Sequence, residues 1–246
     1  MTETLPQTKK LEGKAAIITG GASGIGEATA RVFARHGAHA IVIADIRDDL
    51  GQQVATSIGT DKCKYMHCDV SNEDQVKTLV DSTLQTYDRL DIMFSNAGIF
   101  IGSDSDQTVL DIDLSGFDRL FAVNVRGMAA CVKYAGRAMV ERGVRGSIVC
   151  TASVVASRAS AQLGAYGIRV NSVSPYAVAT PGVCSAHGME VEKIEKFYEA
   201  YTSLKGIVLK GKHVGDVVLF LASEDSEFVT GHDLVVDGGF FSRMSF

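Results

Sequence analysis

The stretch Ala15-Ala16-Ile17-Ile18-Thr19-Gly20-Gly21-Ala22-Ser23-Gly24-Ile25-Gly26 decides how this chain is read. Ala15 to Thr19 is an uncharged, apolar run of strand length, glycines then crowd the next seven positions, and Gly26 to His36 takes up a helical period. A strand passing through a glycine-rich turn straight into a helix builds an anion site. Glycine lets the backbone approach a pyrophosphate closely, and the helix start presents N–H groups and the positive end of its dipole. Any tight turn between a strand and a helix shares part of this pattern, so the surrounding sequence has to carry the reading.

Outward from that turn, apolar, β-branched runs recur at Ala40 to Ala44, Lys64 to Cys68, Asp91 to Ser95, Ser147 to Thr151, Ile168 to Val173 and Asp233 to Val236. Several are nearly continuous hydrophobics, as in strands covered on both faces. Between them lie segments of helical period, among them Asp74 to Tyr87, one long helix from Phe117 to Glu141, and His213 to Ala222. The alternation predicts an α/β fold: a single-domain, Rossmann-type, doubly wound parallel sheet of about seven strands. With three prolines and no linker or repeat, residues 1–246 read as one domain. Residues 182–205 break the rhythm as a mobile-looking stretch followed by an amphipathic helix. In such a sheet that excursion overhangs the carboxyl ends of the strands, where ligands bind.

Composition narrows the function classes. A net charge of −5 without any Lys/Arg cluster removes the electrostatic footprint of a nucleic-acid binder. The opening MTETLPQTKK has no apolar core and no later run approaches the roughly 18 residues of a membrane span, so a cytoplasmic protein is expected. The five cysteines, an odd number without a CxxC pair, read as reduced, buried thiols, and no metal site is read. Asp45 ends the second strand about 20 residues past Gly26, where an acid meets the adenosine ribose hydroxyls of a dinucleotide. A carboxylate there repels a 2′-phosphate and Ser23 is not basic, so NAD is favoured over NADP. Arg47 is the one nearby residue that tempers this.

At this point the chain resembles the short-chain dehydrogenase/reductase family. The carriers are Thr19 to Gly26, Cys68-Asp69-Val70, Ser95-Asn96-Ala97-Gly98, Asn124 within Phe121 to Val125, Ser153, Asn171 to Pro175 and Val236 to Gly239. The resemblance implies a cofactor set of Gly20, Ser23, Gly24, Ile25 and Gly26 around the pyrophosphate, with Asp45 and Ile46 at the adenosine ribose. It places Asp69 and Val70 at the adenine, Asn96, Ala97 and Gly98 along the ribose side, and Thr151, Pro175, Val178 and Thr180 toward the nicotinamide. Ser95 replaces the family's usual first Asn, and Tyr176 follows Pro175 where many members have Gly. Leu11 to Lys14, Thr180-Pro181 and Ser223 to Gly239 are most similar to plant members acting on terpenoid and lignan alcohols, such as borneol and secoisolariciresinol dehydrogenases. The family also implies a homotetramer, paired through the helix after the fourth strand and through the last strand.

Alcohol oxidation needs a base for the hydroxyl proton, and the family uses a Tyr whose phenol is acidified by a Lys four residues on. Asn124 and Ser153 match the Asn and Ser that accompany them; otherwise Asn124 is a break in a long helix and Ser153 a loop serine. The Tyr and Lys are absent: Tyr166 is followed four residues later by Val170, and resembles instead the loop entering strand six. Compared with the family, about twenty residues are missing near Arg158 to Ala161, about 30 Å of helix at 1.5 Å per residue. Residues 152–167 just span the two flanking strands and would leave an apolar sheet face poorly covered. That cost favours a helix that belongs to the protein but not to these 246 residues. Consecutive Cα atoms near Arg158 to Ala161 would then stand farther apart than 3.8 Å.

Three functions follow. The first is NAD-dependent interconversion of a hydrophobic secondary alcohol and its ketone. The others are NAD binding without catalysis, if the deletion is real, and a non-redox cyclisation of a terpenoid on the same scaffold. Phe100, Ile101, Val109, Val183, Met189 and Phe197 suit an apolar substrate pocket, or are ordinary packing of the excursion.

Overall fold

The computed structural model describes residues 9–100, 113–151 and 162–240. Seven strands form one all-parallel sheet: β1 (Ala15–Thr19), β2 (Ala40–Asp45), β3 (Cys63–His67), β4 (Ile92–Ser95), β5 (Ser147–Thr151), β6 (Arg169–Pro175) and β7 (Asp233–Val236). Their spatial order is β3-β2-β1-β4-β5-β6-β7, so the winding reverses between β1 and β4. Every residue of β1, β2 and β4 is buried, which is why these strands read as unbroken apolar runs, whereas the edge strands β3 and β7 carry exposed positions.

Successive side chains alternate between two cores. Ala16, Ile18, Ile41, Ile43, Phe94 and Val149 face helix α1 (Gly24–Arg35) and the late helix that follows the excursion, Gly211–Ala222. Gly215 brings the two helices together, since a Cβ there would stand 3.3 Å from the Thr29 Cα. On the other face Ile17, Val42, Met93, Ile148 and Cys150 pack against α3 (Glu73–Tyr87) and α5 (Met128–Glu141). That second core is rich in sulfur, with Cys68, Met93, Met128, Cys131, Met139 and Cys150 all buried. Helix α2 (Asp48–Ile58) lies between β2 and β3.

Three expectations are corrected. The helix read as Phe117 to Glu141 begins at Leu114 as α4 (Leu114–Phe121), where the Asp113 side chain accepts the Ser115 N–H. It then widens into a π segment, Ala122–Gly127, before continuing as α5. The first part of 182–205 is helical: α6 (Pro181–His187) starts on Thr180, whose side chain accepts the Val183 N–H, with Pro181 in the first turn. The amphipathic helix expected after it is α7 (Val191–Glu199), and the late helix is α8. Finally, among the described residues the sheet face at β5 and β6 is not bare. Ile148, Cys150, Ile168 and Val170 are at most 1% exposed, with Leu163 packed against their cluster. Exposed apolar side chains stand on α4 and the π segment, at Leu114, Phe117, Phe121 and Val125.

Candidate active site

The reversal between β1 and β4 puts the glycine turn beside the loop that leaves β4. Thr19 Oγ1 accepts the N–H groups of Asn96 and Ala97 at 3.0 and 3.1 Å. Asn96 Nδ2 donates to the Thr19 carbonyl, and Thr151 Oγ1 donates to Asn96 Oδ1. One network thus ties the carboxyl ends of β1, β4 and β5. Gly20 and Gly24 adopt φ of 67° and 59°, which side chains rarely tolerate, and a Cβ on Gly26 would meet the Gly20 carbonyl oxygen at 2.2 Å. Ser23 precedes α1 without capping it by its side chain, which leaves the first-turn N–H groups to an anion. These features fit a dinucleotide pyrophosphate.

The other residues read from the sequence as cofactor-binding lie along the same rim. Asp45 is buried at the end of β2, and its Oδ2 accepts the Ala22 N–H of the glycine turn at 3.1 Å. Next to it Ile46 stands 59% exposed, an apolar side chain available to a base or ribose face. Asp69 Oδ1 holds Ser71 through its N–H and hydroxyl, while the following Val70 is buried. On the opposite side Gly24, Val178 and Thr180 share the wall of a cleft of about 300 Å³. Pro175 closes β6, and Tyr176 after it stacks on Phe240 at 4.3 Å and meets Tyr198 edge-on at 5.5 Å. This aromatic group overhangs the carboxyl ends of β6 and β7. Phe197 joins it through Tyr198, whereas Ile101 and Val109 lie outside the described residues.

Of the two residues read as catalytic, Ser153 lies outside the described residues, as does the junction near Arg158 to Ala161. Asn124 sits in the π segment, where its Oδ1 accepts the Ile99 N–H at 2.8 Å and its Nδ2 donates to the Ile99 carbonyl at 2.9 Å. The amide thus pins the loop carrying Asn96 to Gly98, a positioning task. Gly127, not singled out from the sequence, completes that arrangement. A Cβ there would lie 2.8 Å from Val70 Cγ2, so only glycine lets the π segment approach Val70 this closely. Its signal was a glycine inside a long helical pattern.

Tyr166 ends a short turn before Gly167 and β6, as expected of the loop entering that strand. The sequence does hold one Tyr-x-x-x-Lys spacing, Tyr201 to Lys205, but its lysine donates to the carbonyls of Glu199 and Ala200 at the end of α7. That lysine caps a helix. No lysine at all occurs between Lys133 and Lys193.

The family model described as short chain dehydrogenase matches residues 14–167. The chain belongs to the short-chain dehydrogenase family. A second model of the group, described as enoyl-(acyl carrier protein) reductase, matches residues 157–241 of this short-chain dehydrogenase-family chain. It is 51% identical to (+)-cis,trans-nepetalactol synthase from Nepeta racemosa over 253 residues, 94% of each chain. It is 50% identical to mitochondrial (−)-isopiperitenol/(−)-carveol dehydrogenase from Mentha piperita over 256 residues, 96% of each. A crystal structure of a short-chain dehydrogenase/reductase from Mycobacterium marinum superposes with a TM-score of 0.84 at 31% identity, covering 94% of this chain and 97% of that one. The first alignment is longer than the chain's own 246 residues. As 94% of 246 is about 231, some twenty residues of that relative stand opposite nothing here.

Proposed function

We propose that this chain is an NAD-dependent oxidoreductase that interconverts a hydrophobic secondary alcohol, a terpenoid such as borneol or a lignan, and its ketone. Bound NAD would supply the hydride acceptor. The observation that supports the reading is the buried Asp45 carboxylate at the end of β2, hydrogen-bonded to the glycine turn, because a negative charge at that point disfavours a 2′-phosphate. The aromatic group of Tyr176, Tyr198 and Phe240 and the exposed Phe100 and Phe197 support an apolar substrate. The Mentha relative is named for acting on monoterpenoid alcohols. The cytoplasm is the proposed compartment, consistent with four buried, unpaired cysteines and a half-buried fifth. Among the described residues no helix is long and apolar enough to cross a membrane.

A second reading is favoured by one specific observation: no Tyr-x-x-x-Lys pair stands where the family keeps its base. On that reading the 246-residue chain binds NAD without transferring hydride. A third, cyclisation of a terpenoid without net redox change, is favoured by the Nepeta relative's name. One assay separates them. The purified protein is incubated with NAD⁺ and a panel of bicyclic, monocyclic and open-chain terpenoids while NADH absorbance and products are followed, and NAD⁺ binding is measured by calorimetry. NADH formation supports the dehydrogenase, and equal turnover with NADP⁺ would refute its NAD preference. Binding without NADH supports the second reading. A cyclised product formed from an open-chain terpenoid at constant NADH supports the third. An intact mass of 26.2 kDa would identify the protein assayed as the short chain.

A further inference from the structure

Asp45 is read as the acceptor for the ribose hydroxyls, yet its carboxylate has no acceptor position left. Two carboxylate oxygens offer about four lone-pair positions. Oδ1 accepts from the Arg47 N–H at 3.1 Å and from Arg47 Nε at 3.0 Å; Oδ2 accepts from the Ala22 N–H at 3.1 Å and from Arg47 Nη2 at 3.1 Å. The two main-chain bonds belong to the glycine turn and to the turn into α2. The two guanidinium bonds come from a side chain that is 42% exposed and can leave. The same Nη2 also donates to Ser23 Oγ at 2.9 Å, so the guanidinium bridges the end of β2 and the turn in front of α1. That bridge lies across the path between the acid and the pyrophosphate turn.

We propose that Arg47 is a cofactor gate: its guanidinium fills the two acceptor positions of Asp45 that a ribose diol requires, and it must swing off Asp45 and Ser23 before NAD can seat. The proposal rests on the NAD reading of the site. Part of the intrinsic affinity for NAD is then spent on breaking the Arg47–Asp45 fork. Arg47 also blunts the discrimination between cofactors, because a neutralised Asp45 repels a 2′-phosphate less.

The test is calorimetric titration of NAD⁺ and of NADP⁺ into the full chain, its Arg47→Ala variant and its Arg47→Lys variant. Arg47→Ala is expected to bind NAD⁺ roughly two- to fivefold more tightly than the parent, the fold-change that a half-exposed ion pair commands, and to widen the NAD⁺/NADP⁺ ratio. Arg47→Lys, which keeps the charge but loses the fork, should fall between. Unchanged or weaker NAD⁺ binding in Arg47→Ala, with the parent binding normally, overturns the gate and leaves the NAD reading standing. A parent that prefers NADP⁺, and loses it in Arg47→Ala, overturns both and makes Arg47 a phosphate ligand. Absence of binding in all three proteins also removes both.

Discussion

Two aspartates show how one residue type serves opposite ends of the same sheet. Asp91 precedes β4 at the amino ends of the strands. Its Oδ2 accepts the Ala15 N–H at 2.8 Å and Arg89 Nε at 2.7 Å, while Oδ1 accepts Arg89 Nη2 at 2.6 Å. It is 3% exposed and sews the start of β1 to the start of β4. Asp45 makes an equivalent arginine fork at the carboxyl end, where ligands of an open α/β sheet bind. Asp91→Ala should therefore cost stability, about 1 to 3 kcal/mol, because it strands the buried Ala15 N–H, while the exposed Arg89 guanidinium is left to water. Asp91→Asn should cost less, since its amide oxygen still accepts the Ala15 N–H. Urea unfolding midpoints check both, and an Asp91→Ala midpoint equal to the parent's contradicts the assignment.

At the scale of elements, the π segment does the most for the site with the least signal in the sequence. It turns Asn124 onto the Ile99 peptide and sets Gly127 against Val70. Gly127→Ala should force the segment away from Val70, whose carbonyl oxygen would stand 2.9 Å from the new Cβ. Overpacking of this kind costs about 1 to 3 kcal/mol and should weaken NAD⁺ binding along with the melting temperature. A variant with parental melting and affinity would show that the contact is relaxed at no cost. The central strands β1, β2 and β4 were legible because burial on both faces leaves almost nothing but apolar residues to write, and the ends of all seven strands fell within a residue or two. The π segment was not, because its helical backbone keeps the apolar pattern of a continuous helix. Only the ill-suited Asn124 and Gly127 in its interior betrayed it. Helix α6 was announced by Thr180-Pro181, an N-cap followed by proline, but small and polar neighbours hid its period. The glycine turn was legible because backbone needs dictate its glycines. Arg47 was visible only as a charge, since its fork depends on geometry across Ser23, Ala22 and Asp45.

At the scale of the whole molecule, exposed apolar surface among the described residues suits association on two faces. Leu114, Phe117, Phe121 and Val125 stand exposed along α4 and the π segment, and the edge strand β7 exposes Val235 near a fully exposed Phe228. A homotetramer closed by two-fold axes through these faces is the expected assembly, with a sedimentation mass about four times 26.2 kDa. A mass near 26 kDa at micromolar concentration would contradict it. The sulfur-rich core gives the molecule a built-in clock. Burial pushes the thiols of Cys68 and Cys150 up to about 12 and that of Cys131 up to about 11. Cys131 therefore stays protonated at pH 8, and a reagent cannot reach it until the sheet parts. Native protein should lose one thiol per chain quickly, the half-buried Cys184, and the other four only at the pace of unfolding. The lag between those two phases would time how long each copy stays closed, and NAD⁺ that binds only the folded state should lengthen it by a factor of one plus the ratio of free NAD⁺ to its Kd.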